Sequence, residues 1–341
     1  MRRSFLTLAV VLLASAGGVQ AGDFPEHTVR LVVPFPAGGS TDVLARLVSL
    51  RLAEQWGHPV VVTNVPGNSS VLGTQTVASA PPDGHTLLVA NAALAINEAL
   101  SRDLPYHALR SFAPISLLAG QPLVLAVNGS SPLRSVEQLI VMARNSPAAL
   151  PYGAAGAGSL SHLAGELLRL MTFANVVHVP HANPRSVLDE LMANRLTYAI
   201  VALPPTLPHV KDGKVRALAV AGQNRATALP DVPTIGASVT GYAVSTWIGL
   251  LAPHGPSVKL LRKLNADVQT VMRRPDLVEQ IGSLGYDPRG SSPGDFENRL
   301  RGDIERYSRV VFDAGIARPG RTTPLVGTES DMVRTRSSGT Q

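Results

Sequence analysis

A strand, a glycine-rich turn and a helix follow one another in Val29–Leu47, whose sequence is VRLVVPFPAGGSTDVLARL. Val29–Val33 is an apolar run typical of a buried strand, and Pro34–Gly39 interrupts it. Ser40 or Thr41 is predicted to be the N-cap of the helix that follows. Glycines let a ligand approach the backbone, and the first N–H groups of a helix bind anions. The segment therefore predicts an anion site that needs no cationic side chain.

The same arrangement occurs a second time in Pro151–Leu163, whose sequence is PYGAAGAGSLSHL. A short strand is followed by three glycines, and Ser159 or Ser161 is predicted to be the N-cap of the next helix. Neither copy contains the G-K-[ST] of a nucleotide-binding P-loop. The glycines of the second copy are spaced G-x-x-G-x-G, which does not fit a dinucleotide-binding fingerprint. No nucleotide or other cofactor is therefore predicted.

Composition excludes several classes of protein. The 341 residues are 45% hydrophobic and 16% charged, which predicts a folded chain long enough for two domains. The formal charge is +6, but the basic residues are scattered and only 4% of the chain is aromatic, so nucleic-acid binding is not expected. The sequence has no cysteine, which excludes disulfides, thiolate metal sites and cysteine catalysis.

The first 21 residues have the pattern of a cleaved signal peptide. Arg2 and Arg3 precede an apolar stretch at Phe5–Ala14, and Val19-Gln20-Ala21 is a small-residue cleavage site. The apolar stretch is too short to span a bilayer comfortably. The paired arginines fit either Sec or twin-arginine export. A periplasmic protein beginning at Gly22 is expected, and residues 321–341 are expected to form a flexible tail.

Strand-like and helix-like segments alternate along the chain, which predicts an α/β fold with mainly parallel sheets. The chain is expected to cross between two lobes near 120–124 and again near 243–248. The first lobe then comprises residues 22–122 and 247–320, and the second comprises 123–246. Two crossing segments make a hinge that can close around a ligand. Because each lobe holds one glycine-rich loop, the two loops are expected to face one cleft.

Five segments, in this order, give the sequence a family resemblance. They are Arg30–Arg46, Pro81–Leu88, Tyr152–Glu166, Leu207–His209 with Lys214–Val220, and Leu229–Thr234. Together they resemble the solute receptors of tripartite tricarboxylate transporters, also called Bug-type receptors, over about residues 24–317. The resemblance implies a two-lobed periplasmic binding protein of type II that works with the membrane subunits of a transporter.

The resemblance also implies the ligand and how it is held. Such receptors bind small carboxylates and amino acids through backbone amides, waters and small polar side chains, so we expect a monomeric receptor for a small organic acid, without a metal. The candidate ligand-binding residues are Phe35, Ala37, Gly38, Gly39, Ser40, Thr41, Asp42, Ala92, Ala154, Ala155, Gly156, Gly158, Ser159, His162, His181 and Val201.

The sequence departs from the family pattern at positions that rim the family's pocket. Thr63–Gly73 lacks the acid and the arginine of the usual E-N-R-P-G-A-G-G-N-I-G, and Val179–Asn183 replaces the usual V-P-Y-[KR]-G. Thr197 and Val201 stand where family members usually have aspartates. The missing carboxylates remove two partners for a ligand ammonium group, so a plain carboxylic acid or an aromatic or aliphatic monoacid is expected rather than an amino acid.

Alternative interpretations remain open at this point. Ser159, His162 and Asp189 could form the triad of an exported hydrolase, although no G-x-S-x-G elbow is present. His178 and His181 are spaced H-x-x-H, but without carboxylate or cysteine partners a metal site is not predicted. Asp42 is expected to interact with the helix dipole or to orient a bridging water. A binding protein that feeds a sensor kinase fits the sequence as well as one that feeds a transporter.

Overall fold

The computed structural model describes residues 24–101, 103–156 and 158–316. The predicted signal peptide and the predicted tail lie outside these residues. The strands of the described residues are β1 (Val29–Val33), β2 (Val60–Asn64), β3 (Thr86–Asn91), β4 (Phe112–Gln121), β5 (Leu123–Asn128), β6 (Leu150–Ala155), β7 (Val176–His181), β8 (Tyr198–Ala202), β9 (Val215–Val220), β10 (Thr246–Pro253) and β11 (Asp287–Pro288).

Helices connect most of these strands. They are α1 (Ser40–Trp56), α2 (Val71–Ala78), α3 (Ala93–Leu100), α4 (Val136–Asn145), α5 (Leu160–Thr172), α6 (Pro184–Met192), α7 (Leu203–Lys211), α8 (Ile235–Ser238), α9 (Val258–Met272), α10 (Pro275–Ser283) and α11 (Pro293–Asp313). None of the described helices is both long and apolar enough to span a bilayer.

Two sheets divide the described chain. The first has the strand order β11-β4-β10-β3-β1-β2 and the second has the order β7-β6-β8-β5-β9. In the first sheet β1, β2 and β3 are parallel, and β10 runs antiparallel to both β3 and β4. In the second sheet β6, β7 and β8 are parallel, and β5 runs antiparallel to β8 and β9. This is the predicted α/β architecture, with antiparallel strands at the connections between the sheets.

The chain passes directly from one sheet to the other at Pro122. Strand β4 continues through Gly120 and ends at Gln121, and β5 begins at Leu123, so Pro122 alone separates the two strands, within the range where the crossing is expected. Proline has no N–H to donate to a ladder, which suits a residue between two sheets. The chain returns to the first sheet at Thr246, where β10 begins.

The strand directions place both glycine-rich loops at the connected edges of the sheets. Strand β10 runs antiparallel to both β3 and β4, so β4 has the same direction as β3 and as β1, which is parallel to β3. The carboxyl end of β4 at Gln121 therefore lies at the same edge as the ends of β1 and β3. Strand β5 begins at the carboxyl edge of its own sheet, opposite the end of β8. Ligands of open α/β sheets bind outside the carboxyl ends of strands, so this edge is the expected place for a site.

Each sheet has apolar clusters on both faces. In the second sheet Tyr152 and Ile200 belong to a cluster that includes residues of α5, whereas Val124 and Val201 belong to a cluster that includes residues of α6. Helices α5 and α6 therefore cover opposite faces of the second sheet. This separation matters below, because it decides which side chains can meet.

Helices α3 and α7 are not evident from the sequence pattern. Helix α3 buries Leu94, Ala95 and Ile96 in succession, so no polar face reveals a helical period. Helix α7 contains three prolines, which by themselves indicate a loop. Two of them occupy its first turn, where the missing N–H groups would be free in any case.

Candidate functional site

The first glycine-rich loop follows β1 and leads into α1. Gly38 has a φ of 78°, which favours glycine, and its neighbour Gly39 is the N-cap of α1. The prediction that Ser40 or Thr41 caps this helix is therefore wrong. Both residues lie inside the helix, and the side chain that accepts a loop N–H belongs instead to Asp42 in the first turn.

Asp42 connects the loop to the rest of the first lobe. It is only 2% exposed, and its Oδ2 accepts the Gly38 N–H at 2.8 Å and the Arg46 Nε at 3.0 Å. Its Oδ1 accepts the Asn64 amide at 2.9 Å, and that amide also donates to the Phe35 carbonyl at 3.0 Å. Both ends of the loop are thereby tied to one buried carboxylate.

The charge of this carboxylate is stabilised where it lies. Burial alone would raise the pKa of Asp42, but the hydrogen bonds that it accepts, led by that from Arg46, hold the pKa below its ordinary value. Asp42 therefore stays ionised at neutral pH. Both of its oxygens accept hydrogen bonds from protein donors, so Asp42 ties the loop to Arg46 and Asn64.

Three carboxamide side chains support the loop, and the sequence analysis did not single them out. Asn64 holds the Phe35 carbonyl, the Asn91 amide donates to the Thr41 hydroxyl at 3.2 Å, and the Gln121 amide donates to the Ser40 hydroxyl at 2.5 Å. Each carboxamide residue is the last residue of a strand, β2, β3 or β4. A carboxamide that ends successive strands at one sheet edge is a signal that the sequence does contain.

The second loop follows β6 and leads into α5. Gly158 has a φ of 78°, and Ser159 is the N-cap of α5, its hydroxyl accepting the His162 N–H at 3.2 Å. One of the two predicted capping residues is thus confirmed. The Gly156 N–H donates to the His181 carbonyl at 2.8 Å, which extends the ladder between β6 and β7. His181 therefore lies beside Ala155 and Gly156.

His162 lies in the first turn of α5 and faces the loop. Its Nδ1 accepts the Gly158 N–H at 3.0 Å, and the ring stacks on His178 with 4.0 Å between centroids. Since a backbone N–H can only donate, the proton of the neutral ring is on Nε2. Burial, reinforced by the proximity of His178, lowers the pKa of His162 to about 4. His162 is therefore a neutral acceptor at physiological pH.

The hydrolase and metal alternatives do not fit this geometry. The Ser159 hydroxyl donates to the Ala155 carbonyl, and the His162 Nδ1 is occupied by a backbone N–H. Asp189 is exposed on α6, which covers the other face of the sheet from α5. The rings of His162 and His178 stack on each other, and the described residues contain no cluster suited to a metal ion.

Contacts between the lobes bring the second loop against the first lobe. Ala92 and Leu163 share one buried apolar cluster, although they come from β3's end and from α5. A Cβ placed on Gly158 would lie 2.8 Å from the Leu100 side chain at the end of α3. The loop thus packs on the helix that begins beside Ala92, so these two parts of the candidate site meet in the described structure.

The candidate residues differ in how exposed they are, and Val201 lies in apolar surroundings. Gly38, Gly39 and Ala37 are exposed, whereas Ala154 is buried below the second loop. Val201 is 2% exposed and belongs to the apolar cluster on the α6 face. Val201 lies near the end of β8, at the sheet edge where the site is expected. Its side chain is packed among hydrophobic side chains, as in a core residue.

A cavity of about 410 Å³ lies away from these loops. Its lining includes Asn128, Gly129 and Lys214. Asn128 ends β5, which runs antiparallel to β8, so this cavity is at the opposite edge of the second sheet from the carboxyl ends of β6 and β8. It does not involve either glycine-rich loop.

A family model for the tripartite tricarboxylate transporter family receptor matches residues 44–316. The chain belongs to this family. Protein BugT of Bordetella pertussis is 31% identical over 316 residues, which cover 91% of this chain and 97% of BugT. The family assignment that the five sequence segments imply is therefore confirmed.

Solved structures of the family share the fold. The structure of R. palustris Rpa4515 with adipate is 34% identical, with a TM-score of 0.79 over 86% of this chain and 99% of that one. MatC of Rhodopseudomonas palustris with bound malate is 30% identical, with a TM-score of 0.74 over 84% of this chain and 100% of that one. The two-lobed α/β fold of a type II periplasmic binding protein is confirmed, and both of these neighbours hold a small carboxylate.

Proposed function

We propose that this receptor binds a small organic carboxylate between its two glycine-rich loops and delivers it to the membrane subunits of a tripartite transporter. The observation that carries the proposal is the N-terminal turn of each helix that follows a loop. Among the described residues, the N–H groups of Ser40 and Thr41 at the start of α1 have no acceptor, and α5 begins after a loop of the same geometry. Free N–H groups at helix N-termini favour an anion.

The chemistry of the loops supports a carboxylate over other solutes. Pro36–Asp42 and Gly153–His162 contain no lysine or arginine, so the anion is held by N–H groups, hydroxyls and waters. Adipate and malate in the two related structures are both dicarboxylates. Thr197 and Val201 have no carboxylate, so neither can pair with a ligand ammonium group.

The location and division of the molecule follow the same proposal. The receptor is exported with its signal peptide, residues 1–21, removed, and it acts as a monomer in the periplasm. The first lobe comprises residues 22–122 and 247–320, and the second comprises 123–246. Closure brings the two loops together about the crossings at Pro122 and before Thr246. The receptor performs no chemistry on its ligand.

A ligand panel tests the proposed class. We expect dicarboxylates such as adipate and malate to raise the melting temperature by several degrees, since a ligand at a hundred times its Kd stabilises a protein by about 2.7 kcal/mol. Amino acids, neutral sugars and cations are expected to leave it unchanged. Affinity should change less than about threefold between low and physiological salt, because no charged side chain of the loops forms an ion pair with the ligand. Stabilisation by amino acids alone would contradict the proposal.

The substitution Gly156→Ala tests the ligand's position with little disturbance of the fold. A Cβ at Gly156 meets no described atom within 4 Å, and Gly156 is not among the glycines with positive φ. The free energy of unfolding is therefore expected to change by less than about 0.5 kcal/mol. A ligand in the cleft would meet the added methyl group, so we expect adipate affinity to fall about tenfold or more, as measured by calorimetry.

Gly282→Ala is the matched control for this substitution. Gly282 lies in α10, far in sequence from both loops, and its Cβ also meets nothing within 4 Å. The Gly282→Ala variant should bind adipate with the same affinity as the wild type. Equal affinity in both variants would remove Gly156 from the ligand's surroundings.

A further inference from the structure

The two loops share a hydrogen bond that their sequences do not reveal. In each loop the glycine before the N-cap has a φ of 78° and donates its N–H to the side chain four residues later. Gly38 donates to Asp42 at 2.8 Å, and Gly158 donates to His162 at 3.0 Å. One acceptor is a carboxylate and the other is an imidazole, so the geometry recurs although the chemistry of the acceptor does not.

This bond removes one N–H of each loop from ligand binding and fixes the next ones. The Gly38 and Gly158 amides are occupied, whereas the N–H groups of Ser40 and Thr41, the first two of α1, are free among the described residues. A left-handed glycine sets the direction in which the chain enters the helix. Holding its N–H therefore determines where the following free N–H groups point.

The surroundings show how each acceptor is held in place. Asp42 is fixed by Arg46 and by Asn64, which also binds the Phe35 carbonyl. His162 is 8% exposed and is fixed by its stacking on His178. In both Asp42 and His162, the lone pair that faces the glycine is occupied by the glycine N–H and cannot bind a ligand.

We propose that Asp42 and His162 are positioning residues, which hold the two loops in their binding conformation by accepting the N–H groups of Gly38 and Gly158. This inference rests on the proposed function, since it assigns these residues to the same carboxylate site. It gives these two candidate ligand-binding residues an indirect role in that site. Their contribution is to hold the loop backbone before the ligand arrives, which lowers the ordering cost of binding.

Substitutions at His162 test the inference, with adipate as the probe. His162→Ala removes the acceptor, and we expect adipate affinity to fall about tenfold or more. His162→Asn restores an acceptor whose reach matches that of Asp42 in the first loop, so its affinity is expected within about threefold of the wild type. Amide hydrogen exchange at Gly158, followed by NMR without ligand, should be fast in the alanine variant and slow in the asparagine variant.

Two outcomes would overturn the inference. The first is a His162→Ala protein that binds adipate as tightly as the wild type. The second is unchanged Gly158 exchange between the alanine and asparagine variants, which would show that the side chain does not hold the loop. The exchange measurement needs no ligand, so it separates failure of this inference from failure of the proposed function, which would appear as a wild type that binds no member of the panel.

The first loop provides a parallel test. Asp42→Ala is expected to weaken adipate binding about tenfold or more and to accelerate exchange of the Gly38 amide. If this variant does not fold, Asn64→Ala is the second test, because it releases the Phe35 carbonyl and leaves the Gly38 bond in place. Asn64→Ala is expected to bind adipate more weakly while exchange of the Gly38 amide stays slow. Adipate binding that is unchanged in both Asp42→Ala and Asn64→Ala would contradict a positioning role for this network.

Discussion

Asp303→Ala is expected to lower the free energy of unfolding by about 3 kcal/mol, because it leaves two donors without their shared acceptor. Asp303 is 2% exposed on α11, and its Oδ2 accepts the Trp247 Nε1 and the Arg299 Nε, each at 2.8 Å. Trp247 lies in β10 and is itself buried against Phe296. A buried indole N–H that loses its acceptor retains the full cost of its desolvation.

The same substitution is expected to affect the segment that returns to the first sheet before β10. Arg299 also donates to the carbonyl and hydroxyl of Ser245, directly before the start of β10. Without Asp303 the guanidinium is no longer held over this return segment. Urea denaturation measures the loss, with Glu305→Ala as the control, since Glu305 is exposed on the same helix and its removal should cost less than about 0.5 kcal/mol. Equal stability of the two variants would contradict the role of Asp303 as a buried acceptor.

Stability is expected to fall by about 3 kcal/mol between pH 6.5 and pH 4 on account of His162 alone. The pKa of this ring is lowered from 6.5 to about 4 by burial and by His178. The unfolded chain therefore binds a proton in this pH range that the folded chain does not bind. Stability from the neutral ring is complete above pH 6.5 and is lost as the pH falls through the folded pKa.

Other ionisable groups around the ring act in known directions. Glu166 opposes the lowering of the His162 pKa, and the pKa of His178 is itself lowered, first by burial. Arg169 neutralises Glu166 through an ion pair at 2.7 Å. Comparing the wild type with His162→Asn by urea denaturation at several pH values isolates the His162 contribution. The variant should lose about 3 kcal/mol less across this range, and parallel curves would show that His162 is not held neutral.

The sequence predicted the parts of the site that depend on backbone patterns. The two loops, Gly38, Gly158 and the Ser159 cap follow from strand, glycine and hydroxyl patterns that act over a few residues. The cap of α1 was wrong, because Gly39 takes that position while Asp42 bonds to the loop from the third residue of the helix. The prediction was based on the two adjacent hydroxyl residues, Ser40 and Thr41. Their hydroxyl groups accept hydrogen bonds from residues that are distant in the sequence.

Contacts between distant segments account for what the sequence could not show. Asn91 reaches Thr41 and Gln121 reaches Ser40 only because the ends of β3 and β4 lie at the same sheet edge as the first loop. The stacking of His162 on His178 likewise depends on α5 covering the face of the sheet that carries His178. The H-x-x-H spacing of His178 and His181 does not show that the ring of His178 stacks on His162.

Mass spectrometry of the purified mature protein under native conditions is the most direct test of the central claim. The protein is expected to carry a small organic acid that is released intact on denaturation. Binding of that same acid to the emptied protein should weaken in Gly156→Ala and remain unchanged in Gly282→Ala. Release of a neutral sugar or a cation, or a covalent adduct on Ser159, would contradict a receptor that holds a carboxylate through the backbone of its two loops.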